Sequence, residues 1–240
     1  MTNAKNASSG GRDKTLPPLF MANWKNTSRL LPSKYSVGED SVLTRIAGNS
    51  AQLLMTAFDL DNATNDRLLA EHQHLPGIGA HELVSAIPFA SIINAAFTHA
   101  MPTGSRFNDG SRGAWYAART IRTAQSEVAF HKTIQLAEVG RFEDSSTYDE
   151  YLADFHAEFH DLRTSPDRVR YLAPDSYIES QLLAERILAQ GSLGVLYPSV
   201  RHPGGECVAC FRPALVTHVR KHRTYRFTWD GEPGPVIERI

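Results

Sequence analysis

The sequence has no apolar run approaching the roughly 20 residues that a membrane-spanning helix needs. Its opening stretch, MTNAKNASSGGRDKTLPP, also lacks the apolar segment of a secretory signal. A cytoplasmic protein with no membrane partner is therefore expected. Cysteine is scarce: Cys207 and Cys210 are the only two in 240 residues, too few for a disulfide framework. An excess of charge of one sign is missing as well. With 25 Lys and Arg against 26 Asp and Glu, the formal net charge is −1, so no global field draws the chain to nucleic acid. Any anion it binds must be held by local arginines.

Several catalytic signatures are absent. No Gly-rich turn with phosphate-binding or dinucleotide-binding spacing joins an early strand to a helix, and there is no Gly-x-Ser-x-Gly nucleophile elbow. His156-Ala-Glu158 followed by Cys207-Val-Ala-Cys210 echoes zinc deaminases, where a His and two Cys hold the metal. The echo fails on geometry. ECVACFRP is a β-like run ended by proline, in which Cys207 and Cys210 would face opposite sides of a sheet. Buried or half-buried thiols and no metal are expected. His156 and His160 would share a face only on a helix, and with Asp154, Glu158 and Asp161 beside them a solvated polar face is the expectation.

What is present suits one globular domain, with 42% hydrophobic residues. Residues 1–18 are polar and read as a flexible lead, leaving a single domain over 19–240. From Asp40 to His72, apolar residues at three and four spacings predict two or three short helices. FASIINAAFTHAM predicts another, which makes about 40–100 a helical insert. After Met101, AWYAA predicts a strand, and Thr120 caps a helix reaching about Gln135. YLADFHAEFHDL fits a strand or one helical face equally. Ser176 to Glu179 has the capping-box pattern for a helix closed by Gly191, and GVLYPSV and ECVACFRP predict a hairpin turning at His202-Pro-Gly-Gly205.

The segment GSRFNDGSRGAWYAARTIRTAQSEVAFH, from Gly104 to His131, concentrates the candidate chemistry. Arg106 lies in a loop whose glycines allow close approach to backbone, and its guanidinium suits phosphate oxygens. Tyr116 follows on the strand. Glu127 lies about two turns into the next helix, half-buried by Ala124 and Val128. Taken singly these are a surface arginine, a core tyrosine and a solvent-facing glutamate. They converge only if the helix folds back over the strand.

This segment resembles the first block of RES-domain proteins, with its G-x-R-[WF]-[NS] loop, Tyr-bearing strand and A-x-x-E-V helix. VLYPSVRHPGGECVACFRP resembles their closing block, SRLLPSKY their early Arg segment, and DSYIESQLLAERILAQGSLGVLYPS their helix-to-strand connection. The resemblance implies an α+β fold, similar to ADP-ribosyltransferase toxins, with a mixed β core and surrounding helices. It favours a strand for YLADFHAEFHDL. It implies a toxin of an Xre–RES toxin–antitoxin pair that cleaves NAD+ as substrate by hydrolysis or phosphorolysis, or transfers ADP-ribose to a protein acceptor. A catalytically silent nucleotide-binding module is a further alternative. The name-giving residues fall on Arg106, Glu127 and Ser199, with Tyr116 beside them and Arg29 as the early arginine. Ser180 and Gln181 occupy a helix start that lines the site in such folds. An Xre-like antitoxin is the implied partner, and Arg112, Arg119 and Arg122, read as exposed, would suit a partly acidic one or form a solvated basic face.

Overall fold

YLADFHAEFHDL forms the second half of the longest strand. Phe155, Ala157 and Phe159 are buried while His156 and Glu158 between them are exposed, so the period of two prevails over the helical one. The computed structural model describes residues 16–36 and 77–240. Its strands are β1 (Leu19–Pro32), β2 (Trp115–Ala118), β3 (Glu143–Asp161), β4 (Gly194–Pro198), β5 (Glu206–Cys210), β6 (Thr217–Asp230) and β7 (Val236–Arg239). The α-helices among the described residues are α1 (Ala90–Thr98), α2 (Ile121–Val139), α3 (Arg168–Tyr171) and α4 (Ile178–Ala189). The helices expected between Asp40 and His72, and the polar lead through residue 15, lie outside the described residues.

The sheet runs β1-β2-β5-β4-β3-β6-β7, and a further β1–β3 pairing closes its first five strands into a ring. β3 makes this possible by using both edges. One edge pairs antiparallel with β1 from Leu19↔His160 to Pro32↔Tyr148. The other pairs with β6 over most of its length and then, at His160 and Asp161, runs parallel to β4. β1 carries a bulge between Trp24 and Thr27, where Asn26 takes the left-handed conformation (φ 57) and its N–H donates to Asp154 Oδ1 at 2.8 Å. This is a mixed α+β fold in one domain.

Alternation along the strands sorts apolar side chains into two cores. One gathers Leu30, Phe107, Ala118, Ala124, Tyr197 and Cys207. The other gathers Trp24, Phe97, Trp115, Phe155, Phe159 and Cys210. The two cysteines thus face opposite ways, as their odd spacing requires. His160 departs from the expected solvated face: it is buried, with Nδ1 at 2.9 Å from Ser192 Oγ. No helix among the described residues is long and apolar enough to cross a membrane.

The helix termini follow from local chemistry. Thr120 Oγ1 accepts from Thr123 N at 3.3 Å and starts α2, which runs one turn past its expected end to a left-handed Gly140. The capping box expected at Ser176 does not form: Tyr177 is the N-cap, and Glu179 pairs with Arg170 instead. Gly191 closes α4 as expected, with its N–H bonded to Leu188 O and the Ser192 N–H to Ile187 O.

Arg112 also corrects the sequence reading. It is 7% exposed, not a surface charge. Its Nη1 and Nη2 donate to the two Glu82 oxygens at 3.0 and 2.9 Å, and further to Gly77 O and Phe211 O. Arg212 Nη1 adds a third contact to Glu82 at 2.6 Å. Burial alone would raise the Glu82 pKa, but the bonds from Arg112, Gly79 and Arg212 outweigh it and hold the carboxyl at about 2. Because the folded pKa lies below the ordinary 4.5, the pairing stabilises fully above that value and is lost as pH falls toward 2. Glu82→Gln should therefore cost about 3 kcal/mol at pH 7. In thermal melts across pH, the gap between wild type and variant should narrow by more than half at about pH 3. A gap independent of pH would contradict the pairing.

Candidate active site

Two residues separate the end of β2 from the start of α2, which packs back on β1 and β2. This is the condition under which the loop arginine, strand tyrosine and helix glutamate converge. Ala124 is buried in the core and Val128 packs against it, which turns the face carrying Glu127 over the sheet. Ser199, 9% exposed, opens the turn after β4, where its Oγ accepts from the Arg201 and His202 amides at 3.1 and 2.9 Å. Its hydroxyl proton goes to Glu127 Oε1, 2.6 Å away. With both amides donating to Oγ, the only direction left for that proton is the carboxylate. The turn is tied to α2 again by His202 Nδ1, 2.9 Å from Thr123 Oγ1.

Tyr116 anchors the loop that carries Arg106. Its hydroxyl donates to Asn108 Oδ1 at 2.7 Å and accepts from Phe107 N at 2.9 Å. Burial, only partly offset by the Phe107 amide, pushes the phenol pKa well up, so it stays neutral. Gln181 reaches the same loop from α4, its Nε2 within 3.1 Å of the carbonyls of Thr103, Ser105 and Asn108. Gly104 has φ +70, and a Cβ there would collide with the Asn108 carbonyl. The glycine therefore serves the loop's contact with itself.

Three guanidiniums are set in place in one manner. Arg29 Nη1 donates to Tyr116 O at 3.0 Å, and the group lies over the Trp115 ring at 4.8 Å. Arg106, 7% exposed, donates to Ala173 O at 2.8 Å and lies over Tyr177 at 4.6 Å. Arg201 donates to Pro174 O at 2.5 Å and lies over Phe130 at 3.3 Å. Each has one carbonyl and one ring. None forms an ion pair among the described residues, whereas Arg112, Arg163 and Arg212 all do. Burial lowers the Arg29 pKa to about 10, which leaves it cationic at neutral pH.

These groups border one cleft of about 1080 Å³, lined by Arg29, Arg106, Tyr116, Glu127, Gln181 and Arg201 among others. Its floor includes Ala118, Ala124, Tyr197 and Cys207. Burial and then the neighbouring Cys207 and Glu127 raise the Tyr197 pKa, and burial followed by Glu127 raises that of Cys207, so the floor is uncharged. Ser199 stands directly behind Glu127. Ser180 does not join the site: it is 1% exposed and its Oγ donates to Tyr177 O at 2.9 Å, inside the first turn of α4. Sequence reasoning passed over Arg201, which follows Ser199 by two, and His131, one turn beyond Glu127 on the same helix face. Desolvation lowers the His131 pKa; Glu127 opposes this, while Arg201 and Arg106 add to it. Among the described residues no group of three or more His, Cys, Asp or Glu is placed to hold a metal.

Removing the Tyr116 hydroxyl leaves the Phe107 amide without its partner, a loss of about 1–3 kcal/mol. Tyr116→Phe should accordingly raise hydrogen exchange of the Phe107 amide by ten-fold or more while the β3 amides stay protected. Unchanged exchange at Phe107 would show that the loop holds without Tyr116.

A family profile described as the RES domain matches residues 83–230. No match emerges among curated proteins. Among solved structures, the crystal structure of the M. tuberculosis MbcT–MbcA toxin–antitoxin complex is similar at a TM-score of 0.40 and 16% identity, over 56% of this chain and 75% of that one. The matched span includes the Arg106 loop, Tyr116, Glu127 and the Ser199 turn, and the chain belongs to the RES-domain family.

Proposed function

We propose that the cleft breaks the bond between nicotinamide and ribose in NAD+, and that the chain is the toxin of a toxin–antitoxin pair. The observation that carries this reading is the pairing of one oriented carboxylate with guanidiniums that have no counter-anion among the described residues. The nicotinamide of NAD+ is cationic and leaves readily, so the enzyme need not supply an acid. As the C1′–N bond breaks, its electron pair passes to the ring nitrogen and positive charge grows on the ribose. A carboxylate fixed beside that carbon stabilises the charge, as in glycosidases.

In this reading Glu127 receives the ribose hydroxyls and the developing cation. Ser199 acts on Glu127: with its proton on Oε1 and two amides on Oγ, it holds the carboxylate in one orientation and has no proton left for the ribose. Arg29 and Arg106 hold the diphosphate. The Tyr116 hydroxyl is committed to Asn108 and Phe107, which leaves the ring to bound the cleft. The acceptor is water, phosphate or a protein side chain, and its proton is released as the new bond to C1′ forms.

A protein acceptor is favoured by one further observation. Met101, Ile134 and Ile178 are exposed and all border the cleft, an apolar rim suited to another protein surface. The same rim suits an Xre-like antitoxin that covers the cleft, with Arg119 and Arg122 exposed to an acidic partner. The similar MbcT–MbcA structure is that of a toxin–antitoxin complex.

Glu127→Gln keeps the shape and loses the charge. It should bind NAD+ within a few-fold of wild type by calorimetry, while nicotinamide release falls by roughly 100- to 1,000-fold. Equal release by the two proteins would remove Glu127 from the chemistry.

A further inference from the structure

Arg106 and Arg201 come from distant parts of the chain, the loop before β2 and the turn after β4, yet they donate to consecutive carbonyls, Ala173 O and Pro174 O. Both guanidiniums are thus anchored to one short segment, and both residues line the same cleft. Neither has an acidic partner among the described residues, whereas Arg112, Arg163 and Arg212 do. Each uses one nitrogen for its carbonyl and one face for its ring, Tyr177 or Phe130. The remaining N–H groups are fixed in direction without being consumed.

We infer that Arg106 and Arg201 form a two-guanidinium clamp for a phosphoryl group, with Arg201 a binding residue of the cleft. A phosphoryl anion accepts from both planar forks, a geometry that lysine cannot reproduce. The clamp rests on the NAD+ reading for its biological ligand. The phosphoryl group is either part of the dinucleotide's diphosphate or a free phosphate that attacks C1′. Arg201→Ala removes the second half of the clamp, and Arg201→Lys keeps the charge and one donor without the fork.

The test is calorimetric titration of wild type, Arg201→Ala and Arg201→Lys with ADP, inorganic phosphate and adenosine, alongside melting curves and nicotinamide release from NAD+. Arg201→Ala should weaken the phosphoryl ligand by ~10- to 100-fold, as expected for lost charged hydrogen bonds. Arg201→Lys should fall between, and adenosine should not respond. Weakening confined to ADP assigns the clamp to the diphosphate, and weakening confined to inorganic phosphate assigns it to the free acceptor. ADP and phosphate held equally by all three folded proteins would overturn the clamp. A wild type that binds ADP through Arg201 but releases no nicotinamide with water, phosphate or cell extract supplied as acceptor would overturn the NAD+ reading and leave the clamp standing. A wild type that binds neither ADP nor phosphate would overturn both.

Discussion

A charge drawn partly out of water must be met by something, and among the described residues the cleft's charges are met by groups that do not cancel them. Glu127 receives a hydroxyl proton, and Arg29, Arg106 and Arg201 each receive one carbonyl and one aromatic ring. Neutral dipoles and ring faces fix direction while the net charge survives. Elsewhere the chain does the opposite. Arg112 is neutralised by Glu82, and Arg163 by Asp161 and Glu206, and those groups hold segments together. The contrast between cancelled and uncancelled charge separates structural arginines from those available to a ligand.

That arrangement depends on the sheet closing. β3 pairs with β1 on one edge and with β6 and β4 on the other, so the ring of five strands brings the turn after β4 beneath α2. Ser199 and Glu127, 72 residues apart, then meet. Gln181 and Tyr116 hold the Arg106 loop from two sides, one from α4 and one from β2. Every element of the cleft is therefore fixed by at least one neighbour distant in sequence, which suits a site that must present oriented charge to a substrate.

Local signals were legible in the sequence. Thr120 caps its helix, Gly191 ends α4, and His202 to Gly205 turn the hairpin, because each needs only its neighbours. Glu127, Arg106, Tyr116 and Arg29 were legible as a group through motif spacing and resemblance. What failed required knowledge of distant partners. Arg112 read as exposed because Glu82 lies 30 residues away in a stretch without periodicity. Ser180 read as a cleft residue because a motif match does not fix which face of α4 looks inward. His160 read as solvated because its partner Ser192 comes from the connection after α4. Arg201 carried no pattern at all; only the carbonyls of Ala173 and Pro174 reveal its role.

On the proposed reading, this cleft converts oriented charge into cleavage of a glycosidic bond. Proton NMR of NAD+ incubated with the purified protein tests it most directly, since free nicotinamide and the ADP-ribosyl product report on the same spectrum. Nicotinamide should appear in step with a single C1′-substituted product, whose identity names the acceptor. NAD+ that stays intact at catalytic and at stoichiometric protein, with water, phosphate and cell extract each supplied as acceptor, would contradict it.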